Sequence, residues 1–255
     1  MVTNMAARVR QGIKKPLPTR AKRADCPQRT RLSPREREGM IVAEAIRFFA
    51  EHGFGGETRE LARRIGITQP LLYRYFPTKQ ALIDRVFDAV FVERWNPEWE
   101  DLLRDRTLDF ESRLTRFLQA YAVVMLSHDW VRLFLFAGLA GLDASTEFME
   151  RMRDRVFGPI IGELRELNGR PPLSSEPPNL TEHELVWGLI ASLFYVGVRH
   201  WVYHLGVPED VDSLVVDKVR AFLHGVPAAI AARDTALPTQ DQLPKLYRRR
   251  PRTAR

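Results

Sequence analysis

The stretch GITQPLLYRYFPTK, Gly66 to Lys79, holds a glycine, a Thr-Gln-Pro opening, two tyrosines flanking an arginine, and a lysine just past a second proline. Glycine ends a helix well because it adopts a left-handed backbone at little cost. Thr68 is placed to cap a second helix, and Pro70 falls in its first turn, where backbone N–H groups have no intrahelical partner to lose. Pro77 stops that helix and Thr78 caps another. The stretch therefore reads as a short helix held between a glycine turn and a proline stop.

Upstream, Leu61, Ala62 and Ile65 recur at helical spacing and predict a short helix that starts at Thr58, read as its cap, and stops at Gly66. Before it, Ser33, Pro34 and Glu36 form a capping box with proline at the first helical position. Ile41, Val42, Ala45, Phe48 and Phe49 give that helix one apolar stripe, and Gly53 to Gly56 end it. Downstream of Thr78, Leu82, Ile83, Val86, Phe87 and Val90 predict a longer helix. No alternating strand pattern appears, so the expectation is an all-α chain.

Two short helices around a glycine turn, packed on a longer one, match a helix-turn-helix DNA reader. Ile67, Leu72 and Phe76 join the apolar contacts that fix the crossing, which leaves Thr68, Gln69, Leu71, Tyr73 and Arg74 facing outward. The first turn of such a helix docks on phosphate while its side chains reach base edges. Gln bonds an adenine edge bidentately, Arg does so for guanine, and Thr serves either or touches a thymine methyl. Lys79 is placed for a phosphate.

The segment TRELARRIGITQPLLYRYFPTKQALI resembles the DNA-binding segment of TetR-type transcriptional regulators, with its capped helix, glycine turn, Tyr-x-x-Phe end and lysine three residues on. The resemblance covers about residues 34–90. It implies a two-fold symmetric homodimer, a C-terminal helical ligand-binding and dimerisation domain, and a grip on a double-stranded operator released by a small molecule. Carried over by position, it gives Tyr73, Lys79 and Thr58 phosphate contacts and places Thr68, Gln69 and Pro70 where bases are read. Arg74 and Tyr75 fall at variable positions, and packing is the simpler role for Tyr75.

The charge is uneven. Residues 1–32 carry nine bases and one acid, residues 233–255 seven bases and two acids, and the total of +7 leaves −6 for the stretch between them. Basic tails on an acidic body suit a polyanion touched by arms, or serve only to keep the chain in solution. The expected division is a disordered basic tail over 1–32, a three-helix helix-turn-helix domain over 33–91, a ligand-binding and dimerisation domain over 92–227, and a disordered tail over 228–255. The one cysteine, Cys26, fits a reducing compartment. No apolar run approaches the ~18 residues of a membrane span. A cytoplasmic protein without a membrane partner is the expectation.

Beyond Trp95 the periodicity predicts longer helices over 109–127, 130–142, 145–167, 181–204 and 209–224, with the proline-rich 168–180 as an exposed connection. Aromatic and methionine side chains at this spacing are usually core, but a subset should line an apolar ligand cavity if the resemblance holds. Tyr121, Met125, Phe134 and Trp187 are the candidates, and an apolar or aromatic ligand is expected. Small residues at Gly188, Ala191, Ser192 and Gly197 would let another helix approach, either in a dimer interface or within the chain.

His200 and His204 lie one helical turn apart, a spacing able to hold a metal, but no third ligand and no glutamate in the zinc-protease position accompany them. No serine sits in a nucleophile elbow, and Gly53, Gly55 and Gly56 do not follow a strand. The expectation is a non-enzyme without cofactor or metal. The rival readings are a sequence-tolerant nucleic-acid binder driven by the tails and a helical metalloprotein using His200 and His204.

Overall fold

A computed structural model describes residues 33–233, and every regular element among them is helical. Helix α1 (Pro34–His52) opens on the expected capping box: Ser33 N–H donates to Glu36 Oε2 at 2.8 Å, and Glu36 N–H donates to Ser33 Oγ at 3.2 Å. It closes at Gly53, whose φ of +71° and ψ of 178° suit glycine alone. Helices α2 (Thr58–Ile65), α3 (Gln69–Tyr75) and α4 (Lys79–Phe87) follow. Ile41, Ala45, Phe48 and Phe49 of α1 meet Leu61, Leu72, Leu82 and Val86 in a core with almost no exposure.

The helix expected to run through Val90 ends sooner as an α-helix. After Phe87 it widens into a π-helical turn over Asp88–Val92. Helix α5 (Glu98–Arg104) was not anticipated, and α6 (Phe110–Met125), α7 (His128–Ala140), α8 (Asp143–Met152), α9 (Gly158–Leu167), α10 (Leu180–Trp201) and α11 (Val211–Arg233) complete the body. The helix expected over 145–167 is broken by a second π-helical turn, Arg153–Phe157. Pro159 supplies the reason, since its ring carries no N–H and crowds the carbonyl four residues back. Gly158 N–H donates five residues back, to Arg153 O.

Helix α11 extends past the expected end at 224 and passes through Pro227 to Arg233. Pro227 removes one helical hydrogen bond, but the alanines around it are the strongest helix formers. The first residues of the expected tail over 228–255 are therefore helical. The expected tail over 1–32 and Cys26 lie outside the described residues.

One apolar cluster runs without a break from Ile41 on α1 to Val226 on α11. The expected domain boundary at 91/92 falls inside it, beside Phe91, whose ring meets Trp130, Phe134 and Phe148 at centroid distances of 5.1, 6.2 and 5.5 Å. The N-terminal helices and the body thus share packed aromatic surface.

The connection 168–180 is less free than its prolines suggest. Arg165, 2% exposed, donates to the carbonyls of Pro171 and Glu176 through Nη1, at 3.1 and 2.6 Å, and to Pro177 O through Nη2 at 3.1 Å. It also forks onto the Glu182 carboxylate with two bonds of 2.7 Å. Glu182 in turn accepts from Asn179 N–H at 2.9 Å, completing the capping box that starts α10. One buried guanidinium therefore sets both the course of the loop and the start of α10. Among the described residues no single helix is long and apolar enough to cross a membrane.

Candidate nucleic-acid interface

The crossing of α2 and α3 is fixed by Gly66, at φ +77° and ψ 30°, whose N–H closes α2 on the carbonyls of Ala62 and Arg63. Leu61, Ala62, Leu72 and Phe76 are buried beneath it. Thr68 caps α3, its Oγ1 accepting from Leu71 N–H at 3.4 Å, and Thr78 caps α4, accepting from Ala81 N–H at 3.0 Å. Pro70 sits exposed in the first turn of α3.

Thr58 does not cap α2. It is the first helical residue, the cap position falls to Glu57, and the Glu57 side chain makes no capping bond. The Thr58 hydroxyl instead lies 2.9 Å from the Tyr73 hydroxyl and accepts from Gln69 Nε2 at 3.3 Å. This also corrects the reading of Gln69 as simply outward-facing. Gln69 is half-buried, tied across the helix crossing to a threonine 8% exposed. Gln69 and Tyr73 are four residues apart and share one face of α3.

Charge around this cluster is sorted. Arg63 donates through Nε to Glu60 at 2.9 Å, and Arg64 is held by Glu44 and by Glu51, whose Oε1 accepts from Nη2 at 2.9 Å. Arg64 holds the Glu51 carboxyl below the usual carboxylate range. Arg59, Arg74 and Lys79 are in no ion pair among the described residues. Arg74 is exposed, its guanidinium 5.9 Å from the Tyr75 ring centre, and Tyr75 itself packs against the core. Arg59 was passed over in the sequence. Its signal was its place beside Thr58, and it now stands as an exposed, unneutralised cation next to the hydroxyl cluster.

The body grips this unit through α7. Arg132 donates through Nε to Ala50 O, through Nη2 to Glu51 O at 3.2 Å and through Nη1 to Trp201 O at 3.5 Å. These bonds satisfy carbonyls in the last turns of α1 and α10, groups a helix leaves without internal partners. Arg94, just past the first π turn, donates to Asp129 of α7 at 2.6 Å.

Among the four ligand candidates, Tyr121 and Met125 are buried, and Tyr121 lies under Phe117, Trp95, Trp99 and Trp130. Burial pushes its phenol well above the usual range. Phe134 stacks on Trp130 at 5.0 Å, and Trp187 is 39% exposed with its edge on Phe157. An open cleft of about 1000 Å³ between α5 and α9, lined by Arg104, Arg106, Glu163, Glu166 and Leu173 among others, touches none of the four.

The small residues of α10 divide between two tasks. Gly197 is buried against α7, where an added Cβ would lie 2.7 Å from Val131, so its smallness serves packing within the chain. Gly188 and Ala191 are exposed, between Trp187 and the 53%-exposed Tyr195. The histidine pair is not a helical pair. His200 lies near the end of α10, whereas His204 lies beyond it with φ +54°, so the spacing of one helical turn does not hold.

Residues 41–86 match the family model described as "Bacterial regulatory proteins, tetR family". The matched segment lies within α1 to α4. The chain is 31% identical over 88 residues to the tetracycline repressor protein class G of Vibrio anguillarum, a match that covers 31% of this chain and 42% of that one. It spans less than half the length of this and similar curated relatives. A TetR-like transcriptional regulator from Rhodococcus sp. RHA1 shares the fold over 78% of this chain and 99% of its own, at 18% identity and TM-score 0.56. Mycobacterium smegmatis AmtR does so over 84% and 100%, at 20% identity and TM-score 0.50.

Proposed function

We propose that the protein is a TetR-type transcriptional regulator, a ligand-responsive repressor acting in the cytoplasm. It would bind a near-palindromic operator as a dimer, with the α3 helices of two copies in successive major grooves about one helical turn or somewhat more apart. The observation that carries this reading is the surface of α2 and α3, where Thr58, Gln69 and Tyr73 share hydrogen bonds beside the unneutralised Arg59 and Arg74. Gln69 would read a base, Thr68 and Pro70 would line the same groove, and Tyr73, Thr58 and Lys79 would meet phosphates. The basic residues 1–32 would add phosphate contacts.

The outward row Trp187, Gly188, Ala191 and Tyr195 on α10 supports the dimer, because large apolar side chains separated by small residues suit close helix packing. The aromatic cluster of Phe91, Trp130, Phe134, Phe148 and Phe194 supports release by an apolar or aromatic molecule. It joins the end of the reader to α7, α8 and α10, so a ligand inserted there would shift both. Selection of random genomic fragments on the full-length protein at about 0.15 M salt tests the reading, since specificity appears as a ratio over non-specific binding. A shared inverted repeat is expected, and enrichment without any common sequence would refute it.

A further inference from the structure

We propose that Thr58 and Tyr73 form a one-way hydrogen-bond relay through which a phosphate contact fixes the orientation of the Gln69 amide and so determines which base that amide reads. The inference rests on the DNA reading above. Three groups form the chain: the Tyr73 hydroxyl lies 2.9 Å from Thr58 Oγ1, and Gln69 Nε2 donates to the same oxygen at 3.3 Å. Thr58 is 8% exposed, so water has little access to its hydroxyl, whereas Tyr73 is 36% exposed and reaches the surface.

Proton counting gives the direction. A hydroxyl carries one proton and accepts through its lone pairs. Phosphate oxygens only accept, so a phosphate against Tyr73 takes the phenolic proton outward. The Tyr73 oxygen is then left as an acceptor for the Thr58 proton. With that proton committed, the Thr58 oxygen faces Gln69 as an acceptor and needs an N–H there. The reversed amide would set Oε1 against an oxygen with no proton to give, which leaves two acceptors facing each other in a poorly hydrated place.

In the selected orientation Gln69 turns Oε1 and its second Nε2 proton outward. That pair matches adenine, whose N6 amino group donates and whose N7 accepts in the major groove. Guanine offers two acceptors and thymine one, so neither supplies the donor that the outward Oε1 needs, and each makes at most one of the two bonds. Without the relay the amide turns over, and preference for adenine declines. The relay thus makes Thr58 a positioning residue, and it makes Tyr73 affect base choice without touching a base.

The test is the same fragment selection, followed by titration on the selected site and on single-base variants of it, with the full-length wild type, T58V, T58S and Y73F. Wild type should prefer adenine at one position of each half-site by about fivefold or more, the discrimination expected of one good bidentate contact. T58V and Y73F should lose most of that preference at that position alone, and T58S, which keeps the hydroxyl, should restore it. Y73F leaves the buried threonine in place, so it keeps the test open if T58V folds poorly. A Y73F protein that binds all sequences more weakly by one common factor would overturn the relay and leave Tyr73 as a plain phosphate contact. T58V with unchanged base preference would overturn it as well. If wild type selects no motif, the operator reading falls and takes the relay with it, a result distinct from a wild-type motif that the variants leave unaltered.

Discussion

Replacing Arg165 by methionine removes the guanidinium that organises the far end of the body. Five hydrogen bonds disappear, three to the carbonyls of Pro171, Glu176 and Pro177 and two to Glu182. The larger loss is electrostatic, because Glu182 is 4% exposed and would remain as a buried carboxylate with one N–H donor from Asn179 and the more distant Arg170 guanidinium at 4.0 Å. Breaking a buried pair by removing one partner costs about 3–5 kcal/mol, which for a chain of this size lowers Tm by roughly 6–20 °C. Replacing both partners, R165M with E182M, should recover much of the loss, since no unpaired charge remains.

The pH dependence separates this account from a simple packing defect. In the wild type, burial pushes the Glu182 carboxyl up, but bonds from Arg165 and the Asn179 N–H outweigh it and leave the pKa lowered. A lowered folded pKa contributes stability that is present above the unfolded value and lost as pH falls through the folded one. In R165M burial gains weight against the Asn179 bond and the Arg170 charge, so the folded pKa rises relative to the wild type and the stability difference between the two shrinks as pH falls through the range where Glu182 takes up its proton. Thermal denaturation at fixed protein concentration between about pH 4 and pH 7 reads both the size and the sign. The reasoning is refuted if the pH dependence of the R165M stability difference vanishes, or if R165M and the double variant are equally unstable.

Other consequences are smaller in scope. Lys79→Ala and Arg59→Ala should each weaken binding to all duplexes and lower the salt slope by about one, whereas Gln69→Ala should cost about 1–3 kcal/mol on the operator and little on random DNA; titrations at several salt concentrations separate the two classes. Gly53→Ala forces a Cβ onto a backbone that suits glycine and to within 3.1 Å of the Phe136 ring, so a loss of about 1–3 kcal/mol is expected in denaturant unfolding. Tyr195→Glu places a charge on the exposed apolar row of α10 and should shift the chain toward monomer in sedimentation, with operator affinity falling in parallel. Arg132→Met leaves carbonyls of α1 and α10 without their donor and should destabilise by about 1–3 kcal/mol, read by thermal denaturation.

The unit of α1 to α4 was legible in the sequence because its signals are local. The capping box at Ser33 and Glu36, the glycine at 66, the first-turn proline at 70 and the stop at Pro77 each act within a few residues, and the apolar spacing around them has one period. The body was legible as helices, but their interruptions were not. The π turn before Gly158 follows from a proline whose effect on the preceding carbonyl is local, whereas the π turn after Phe87 carries no comparable mark in the sequence. Helix α5 is only 7 residues long and too short to show a period.

What the sequence by itself determined is the helical class, the position of α3 and the chemistry available on it. The tertiary structure decided how that chemistry is joined. Thr58 meets Tyr73 fifteen residues away because α2 and α3 cross where they do, and a threonine at a helix start reads as a cap until the crossing gives its hydroxyl another partner. The same holds for α10, where Gly197 packs on α7 while Gly188 and Ala191 remain outside. Identical residue types differ there only in which side of the helix the body covers. Spacing along the chain records a periodicity, and only packing in three dimensions says which partner fills each face.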